Sequence, residues 1–84
     1  MTSRYEIQIM LKRGILDNAG KATTRALQGL GFDSVEDVRI GKSIYITTEQ
    51  DPELIAKSLV NEVMEDYIIL PYNPTDKYFY ETSS

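Results

Sequence analysis

Hydrophobic and polar residues alternate along residues 5–12, and this is the first ordered pattern in the chain. One parity is apolar and the other mostly polar: Tyr5, Ile7, Ile9 and Leu11 against Glu6, Gln8, Met10 and Lys12. A period of two is typical of a strand with one buried face. We therefore predict a half-buried strand here, which ends before Gly14.

After Asp17 the apolar spacing changes to three and four, which predicts a helix over residues 19–30. Asp17 suits the N-cap of this helix, because its side chain can accept from the free amides of the first turn; the alternative is an Asx-type turn with Gly20. Gly31 stands where a glycine in the left-handed conformation commonly ends a helix. The predicted apolar stripe contains Ala19, Thr23, Ala26, Leu27 and Leu30.

The segment after the helix alternates again and predicts a hairpin of two short strands, residues 37–40 and 44–47. Directly opposed residues of an antiparallel pair share a face. A two-residue loop would send the apolar residues of the two strands to opposite faces, so we predict a three-residue loop at 41–43. The pairs that this loop creates are Ile40 with Ile44 and Val38 with Ile46.

Asp51, Pro52 and Glu53 form a clear helix start, with an N-cap, a proline in the first turn and an acidic side chain beside the amide dipoles. The apolar spacing carries this second helix over residues 52–65. The remaining predictions are a strand at 67–72, a turn at 73–77 and a further short strand at 78–80.

The order strand, helix, strand, strand, helix, strand predicts an α+β fold of the ferredoxin-like βαββαβ type. In this sandwich both helices cover one face of a four-stranded antiparallel sheet. A chain of 84 residues has room for one hydrophobic core, so we expect a single domain over residues 1–84.

That architecture leaves the other sheet face without a cover, and its predicted residues are not those of a purely solvated surface. Residues 67–72 are apolar on both parities. We therefore expect self-association, with the alternative that the C-terminal segment folds back over its own subunit. The candidate self-association residues are Met10, Tyr45, Tyr67, Ile69, Tyr78, Phe79 and Tyr80.

Composition narrows the chemistry, because the chain contains neither histidine nor cysteine. Thiol nucleophiles, imidazole relays and nearly all zinc and haem sites are excluded. We predict no catalytic, cofactor-binding or metal-binding residue on this chain. Its net charge of −4 argues against nucleic acid and anionic membranes as partners. Apolar runs such as Ile68 to Leu70 are far too short to span a membrane, and the lack of cysteine is typical of a cytoplasmic protein.

Gly41, Lys42 and Ser43 resemble the end of a phosphate-binding loop, but the required glycine five positions earlier is Glu36 and a strand follows. We reject that site. Asp37, Arg39 and Lys42 can form an ion-pair cluster, although spacing alone favours an ordinary solvated strand face.

Four short runs give the chain a family resemblance. They are Leu11-Lys12-x-Gly14-x-Leu16-Asp17-x-x-Gly20, Ala26-Leu27-x-x-Leu30-Gly31-Phe32, Val35-x-Asp37-Val38-Arg39-Ile40-Gly41-Lys42 and Glu65-Asp66-Tyr67. In these runs, which fall within residues 5–70, the chain resembles PurS, the small subunit of the multi-subunit phosphoribosylformylglycinamidine synthase. Residues 71–84 depart from the family by their length and their aromatic and proline content.

The resemblance implies a ferredoxin-like subunit that dimerises and joins a PurL-type synthetase to a PurQ-type glutaminase. The complex converts formylglycinamide ribonucleotide, glutamine and ATP to formylglycinamidine ribonucleotide, glutamate, ADP and phosphate in purine biosynthesis. ATP and magnesium are expected on the synthetase partner, and this chain is expected to seal the route taken by ammonia. By the same resemblance, the candidates for partner-subunit contacts are Lys12, Gly14, Asp17, Asp37, Arg39, Gly41 and Lys42.

Two other functions share the predicted fold. An ACT-like regulatory module would bind a free amino acid and would be stabilised by it on heating. An acylphosphatase-like hydrolase would need a phosphate-binding loop after the first strand; Arg13 and Gly14 lie there, but no companion asparagine occupies a suitable strand position. We rank the hydrolase last.

Overall fold

The computed structural model of the chain describes residues 3–71. It contains three strands and two helices in the order β1 (Ser3–Leu11), α1 (Asn18–Gly29), β2 (Lys42–Thr48), α2 (Pro52–Leu59) and β3 (Glu65–Pro71). The strands form one antiparallel sheet in the order β2-β1-β3. The alternating strand at the start of the sequence is therefore the centre of the sheet.

The register brings the apolar residues of the three strands onto one face. Ile7 of β1 lies opposite Ile44 of β2 and Ile69 of β3, and Tyr5 lies opposite Ile46. Helix α2 packs on this face. The fully buried core consists of Ile7, Ile9 and Ala56, with Ile44, Ile46, Ile55, Val60, Tyr67 and Ile69 packed partly buried against it.

Both predicted helix starts are confirmed. The Asp17 side chain caps α1 by accepting from the amide of Gly20 at 2.8 Å, and the Asp51 side chain caps α2 by accepting from the amide of Glu53 at 3.0 Å. Helix α1 also ends as predicted, since Gly31 follows it with φ +99°.

Helix α2 ends at Leu59, earlier than the predicted residue 65. The reason is a turn built by Asn61, whose side-chain oxygen accepts from the amide of Val63 and whose carbonyl accepts from the amides of Met64 and Glu65. An asparagine that satisfies nearby amides in this way competes with helix continuation. The apolar residues beyond Leu59 keep a helical spacing, so spacing alone does not predict this turn.

The predicted four-stranded sheet is wrong for the described residues, where the sheet has three strands. Residues 37–40 form no strand, β2 begins at Lys42, and the predicted three-residue loop and its pairs with Ile44 and Ile46 do not occur. The amide of Ile40 instead donates to the Asp17 carboxylate at 2.8 Å. A side-chain acceptor therefore takes the backbone donor that a hairpin would have used.

The structure shows the predicted helix-on-sheet packing for α2 only. Most of the apolar stripe of α1 is exposed, and Leu30 just beyond its end is 74% exposed. The turn at 73–77 and the short strand at 78–80 lie outside the described residues, as does the last residue of the predicted strand 67–72. Neither helix within residues 3–71 has the length and apolar character needed to cross a membrane.

Candidate functional site

Asp17 follows β1 and connects the first turn of α1 to the segment that precedes β2. Its carboxylate is 7% exposed and accepts from the amides of Gly20 and Ile40, each at 2.8 Å. The Nε atom of Arg39 lies 3.8 Å from the same carboxylate. The hydrogen bond from Ile40, followed by that from Gly20, holds the pKa of Asp17 below its ordinary value of 3.8, and Arg39 acts in the same direction. We call Asp17, Gly20, Val38, Arg39 and Ile40 the Asp17 junction.

Gly20 is required for the close approach within the Asp17 junction. A Cβ atom at this position would collide with the carbonyl oxygen of Val38 and would lie 2.6 Å from an oxygen of Asp17. The backbone of residues 38–40 therefore rests directly on the first turn of α1. The sequence predicts Gly20 as a partner of Asp17 in a turn and as part of the family pattern, but it does not predict the close approach to Val38; a glycine inside a helix is the signal that points to such an approach.

Arg39 ties the Asp17 junction to the end of β1. Its Nη2 donates to the carbonyl of Leu11 at 2.9 Å and lies 3.4 Å from that of Lys12. Gly41 fits against the same strand end, because a Cβ atom there would collide with the Met10 sulfur and lie 2.5 Å from the Ile9 carbonyl. Asp17, Arg39 and Gly41 thus position backbone within their own chain.

A cleft of about 270 Å³ opens beside the Asp17 junction. It is lined by Gly14, Ile15, Leu16, Asp17, Lys21, Asp37, Val38 and Arg39. We call it the first cleft. Lys21 and Asp37 form no side-chain hydrogen bond or ion pair with any other residue in the range 3–71, and the Leu16 side chain is exposed. Free charges of both signs around an apolar floor are suited to a complementary protein surface.

A second cleft of about 190 Å³ lies on the helix-covered face of the sheet. Its lining residues are Ile9, Leu11, Ile40, Gly41, Lys42 and Glu65. Lys42 and Glu65 lie on this face because they are paired in register with Ile9 and Leu11. The second cleft is therefore an apolar hollow with one charge of each sign at its edge.

The structure divides the predicted partner-contact residues into two groups. Asp17, Arg39 and Gly41 are engaged within the chain, and Lys12 forms an exposed ion pair with Asp66 at 3.8 Å. Gly14, Asp37 and Lys42 are exposed; Gly14 and Asp37 line the first cleft and Lys42 lines the second. The contact role of all these residues stays a prediction.

The predicted self-association residues fall on both faces of the sheet. Met10 and Tyr45 lie on the outer face, whereas Tyr67 and Ile69 pack against the core of their own chain. Tyr78, Phe79 and Tyr80 lie outside the described residues. Sequence reasoning did not select Ile68, which is exposed on the outer face, or Leu30 and Phe32, which are exposed at the end of α1.

The outer face also carries a polar cluster around Glu6. Its carboxylate accepts from Gln8 Nε2 at 3.0 Å, and the pKa of Glu6 is lowered by this hydrogen bond first and by those from Ser43 and Tyr45. Tyr67, on the opposite face, has a raised pKa because it is desolvated and lies beside the Glu53 carboxylate. Each of these interactions fixes side chains within the sheet and its covering helix.

The side chains that line the two clefts are charged or apolar, and none of them is a hydroxyl or a thiol. Within residues 3–71, no group of three or more acidic side chains could hold a metal ion. Among residues 3–71 the buried carboxylate is that of Asp17; both of its oxygens already accept from backbone amides, and its lowered pKa makes it a poor base at neutral pH.

Comparison with known proteins places the chain among relatives of one kind. Residues 4–71 match the family described as "PurS: Phosphoribosylformylglycinamidine (FGAM) synthase". A Bacillus subtilis relative, phosphoribosylformylglycinamidine synthase subunit PurS, is 35% identical over 72 residues, covering 76% of this chain and 86% of the relative. The subunit of the same name from Mycobacterium leprae is 41% identical over 73 residues, covering 80% and 92%.

Solved structures agree with the sequence comparison. PurS from B. subtilis superposes with a TM-score of 0.72 at 31% identity, and the match covers 87% of this chain and 100% of the B. subtilis chain. Methanocaldococcus jannaschii PurS, described as one of the subunits of formylglycinamide ribonucleotide amidotransferase in the purine biosynthetic pathway, gives a TM-score of 0.65 at 34% identity and covers 82% and 93%.

Proposed function

The chain belongs to the PurS family, and on that premise we propose that it is a non-catalytic subunit of phosphoribosylformylglycinamidine synthase in purine biosynthesis. The complex converts formylglycinamide ribonucleotide, glutamine, ATP and water to formylglycinamidine ribonucleotide, glutamate, ADP and phosphate. The observation that carries the proposal is the family match over residues 4–71, which spans both helices and all three strands.

The side-chain inventory supports a non-catalytic role in that reaction. Release of ammonia from glutamine needs an activated nucleophile, and this chain contains neither cysteine nor histidine. The family motif residues Asp17, Gly20 and Arg39 are used to position backbone. Accordingly, the chemistry belongs to other subunits, with ATP and magnesium on a PurL-type synthetase and amide hydrolysis on a PurQ-type glutaminase.

The first cleft is the surface that we assign to partner contact. Asp37 and Lys21 are exposed charges without partners within residues 3–71, and Leu16 exposes apolar surface beside them. An interface that closes over this cleft would pair both charges and bury the leucine. The Asp17 junction keeps the surface in one shape before the partner arrives, which reduces the entropy lost on binding.

Bridging also explains how a subunit without reactive groups can be needed for glutamine-dependent synthesis. Ammonia made on the glutaminase must reach the synthetase without escaping or gaining a proton. A dimer of this chain, held in the cytoplasmic complex, would fix the two enzymes in register and help to enclose that route. Activity with added ammonium salt would then depend on the chain far less than activity with glutamine.

Asp37→Ala tests the assignment in a reconstituted complex. Titrating the subunit into its partners and measuring glutamine-dependent product should show that the variant needs about fivefold more subunit for half-maximal activity, because one interface charge pair is lost. Glu49→Ala is the matched control. Glu49 is also an exposed acidic residue, but it follows Thr48, which pairs with Ser3 at the opposite end of the sheet.

The controls separate the site from the function. Equal titration curves for Asp37→Ala, Glu49→Ala and the unaltered chain would remove the first cleft from the interface. Full glutamine-dependent activity of the synthetase and glutaminase without any of this chain would overturn the proposed function itself. Ammonium-dependent activity, measured in parallel, should be unchanged by either substitution.

A further inference from the structure

A third cleft of about 190 Å³ adjoins the first cleft, because Lys21 and Asp37 line both. The other residues that line it are Thr24, Arg25 and Glu36. Lys21 and Arg25 lie one turn apart on α1, whereas Glu36 and Asp37 lie in the segment between α1 and β2. One wall of the third cleft is therefore basic and the opposite wall is acidic.

The four charged side chains of the third cleft are exposed, and their own chain does not pair them. None of the four forms a side-chain hydrogen bond or an ion pair with another residue of the described segment, 3–71. The two walls thus stand too far apart for direct ion pairs, and the hollow between them separates the charges by sign.

Helix α1 gains nothing for its own stability from the position of its basic residues. Like charges four residues apart on a helix repel each other, and basic side chains are favourable in the last turn. Helix α1 has Lys21 and Arg25 at this spacing, but it has no basic residue in its last turn and no acidic residue in its first. Proteins break such local preferences mainly at functional sites, so we expect this basic pair to serve a contact outside the helix.

We propose that the first and third clefts together receive one protruding loop of a partner enzyme, which carries an apolar, an acidic and a basic side chain. The apolar side chain would enter the first cleft beside Leu16. In the third cleft, the acidic side chain would pair with Lys21 and Arg25, and the basic side chain with Glu36 and Asp37. The inference rests on the proposed function and defines the chemistry of the partner segment.

The shape of the surface argues for a loop of another protein. Both clefts are hollows, so the occupant must be convex. A second copy of this chain would present the same hollows, and two facing hollows would leave space unfilled, whereas the centre of a protein interface is packed as densely as a protein interior. Charge complementarity of the two walls then fixes the direction in which the loop lies.

An exchange of the two walls tests the proposal. Arg25→Glu combined with Glu36→Arg keeps the net charge and the opposite signs across the third cleft, but it reverses their direction. Surface plasmon resonance with the purified full chain should show about tenfold weaker binding of this variant to one of the two partner enzymes, because the loop then meets like charges. Added salt should weaken binding of the unaltered chain more than binding of the exchanged variant.

Lys57→Glu combined with Glu49→Lys is the matched control. Both residues are exposed and lie outside the first and third clefts, and this exchange also keeps the net charge. The control should bind both partner enzymes as the unaltered chain does. Each exchanged chain, heated alone, should melt at the temperature of the unaltered chain, because the substituted side chains form no ion pair within residues 3–71.

Three results would overturn the proposal. The first is equal binding of the Arg25→Glu, Glu36→Arg variant and the unaltered chain to both partner enzymes. The second is a lower melting temperature of that variant alone, because its charges would then be used within the chain. The third is a free amino acid that raises the melting temperature of the unaltered chain but not of the variant, because a small zwitterion would then be the occupant. Failure of the synthase role is a separate result, which would appear as full glutamine-dependent synthesis in the absence of this chain.

Discussion

Asp17 illustrates how one short side chain can decide where distant segments lie. Its two oxygens bind amides of α1 and of residues 38–40, and Arg39 completes the connection to β1. The sequence predicts its N-cap role from its place before the helix, because that interaction is local. The bond to Ile40 spans 23 residues and leaves no local signal.

We expect Asp17→Asn to lower the melting temperature at neutral pH. The carboxylate of Asp17 accepts hydrogen bonds from two backbone amides, whereas the NH₂ group of an asparagine would face one of those amides as a second donor. The pKa of Asp17 is lowered in the folded chain, so its charged form stabilises the fold above the ordinary pKa of 3.8 and that contribution is lost as pH falls through the lower folded value. The gap in melting temperature between the two proteins should therefore narrow below about pH 4.

Asp33→Asn is the matched control for this titration, since Asp33 is exposed and makes no side-chain hydrogen bond or ion pair with any other residue in the range 3–71. It should melt like the unaltered chain across the same pH range. A gap for Asp17→Asn that stays constant down to about pH 2 would mean that the charge of Asp17 does not hold the junction together.

At the scale of elements, the strands β1 and β3, the helix starts and the end of α1 follow from periodicity and capping residues. The strand predicted at 37–40 fails for a physical reason. Val38 and Ile40 alternate with charged residues as strand residues do, but the carboxylate of Asp17 takes the Ile40 amide and Gly20 allows the backbone to settle on the helix. The periodicity of apolar residues predicts which side of a strand or helix is buried, but it does not show whether a distant side chain accepts a hydrogen bond from the backbone.

The two glycines of α1 provide a test of this packing. Gly20→Ala should destabilise the chain by about 1–3 kcal/mol, because the new Cβ would overlap the Val38 carbonyl oxygen. Gly29→Ala should stabilise it by up to about 1 kcal/mol, because nothing lies within 4 Å of a Cβ there and alanine favours the helix. Urea denaturation of both variants measures the two effects, and equal changes of the same sign would contradict the close approach at Gly20.

For the whole molecule, the described core is small, with three fully or nearly fully buried apolar residues, Ile7, Ile9 and Ala56. Small domains with so little buried apolar surface depend on further associations for stability. The sequence predicts this dependence because the chain is short and because it has more apolar residues than one helix-covered sheet face can bury. It locates this excess on β3 and the following aromatic segment, whereas the described residues also expose Leu30 and Phe32 just beyond the end of α1.

If a second copy completes the core, folding and association are linked, and the melting temperature should rise with protein concentration. Differential scanning calorimetry over roughly a hundredfold concentration range should show this rise for the unaltered chain. A melting temperature of the unaltered chain that does not change with concentration would show that its stability is supplied by one copy.

The candidate site is predictable from sequence only in part. The family pattern selects Asp37 and Lys42, which the structure leaves exposed beside clefts, together with Asp17, Arg39 and Gly41, which hold the backbone that shapes them. A motif does not distinguish a residue that touches a partner from one that shapes the surface a partner touches. Burial and hydrogen-bond partners make that distinction.

The central place of β1 in the sheet has a consequence for synthesis on the ribosome. Both neighbours of β1 are encoded after it, and Ile7 meets Ile44 and Ile69 only when those strands have been made. Until β3 leaves the exit tunnel, β1 has one apolar face and at least one edge without native cover. Such long-range pairing folds slowly and exposes the nascent chain to wrong contacts. The sheet is therefore expected to form only after almost the whole described part of the chain has been made.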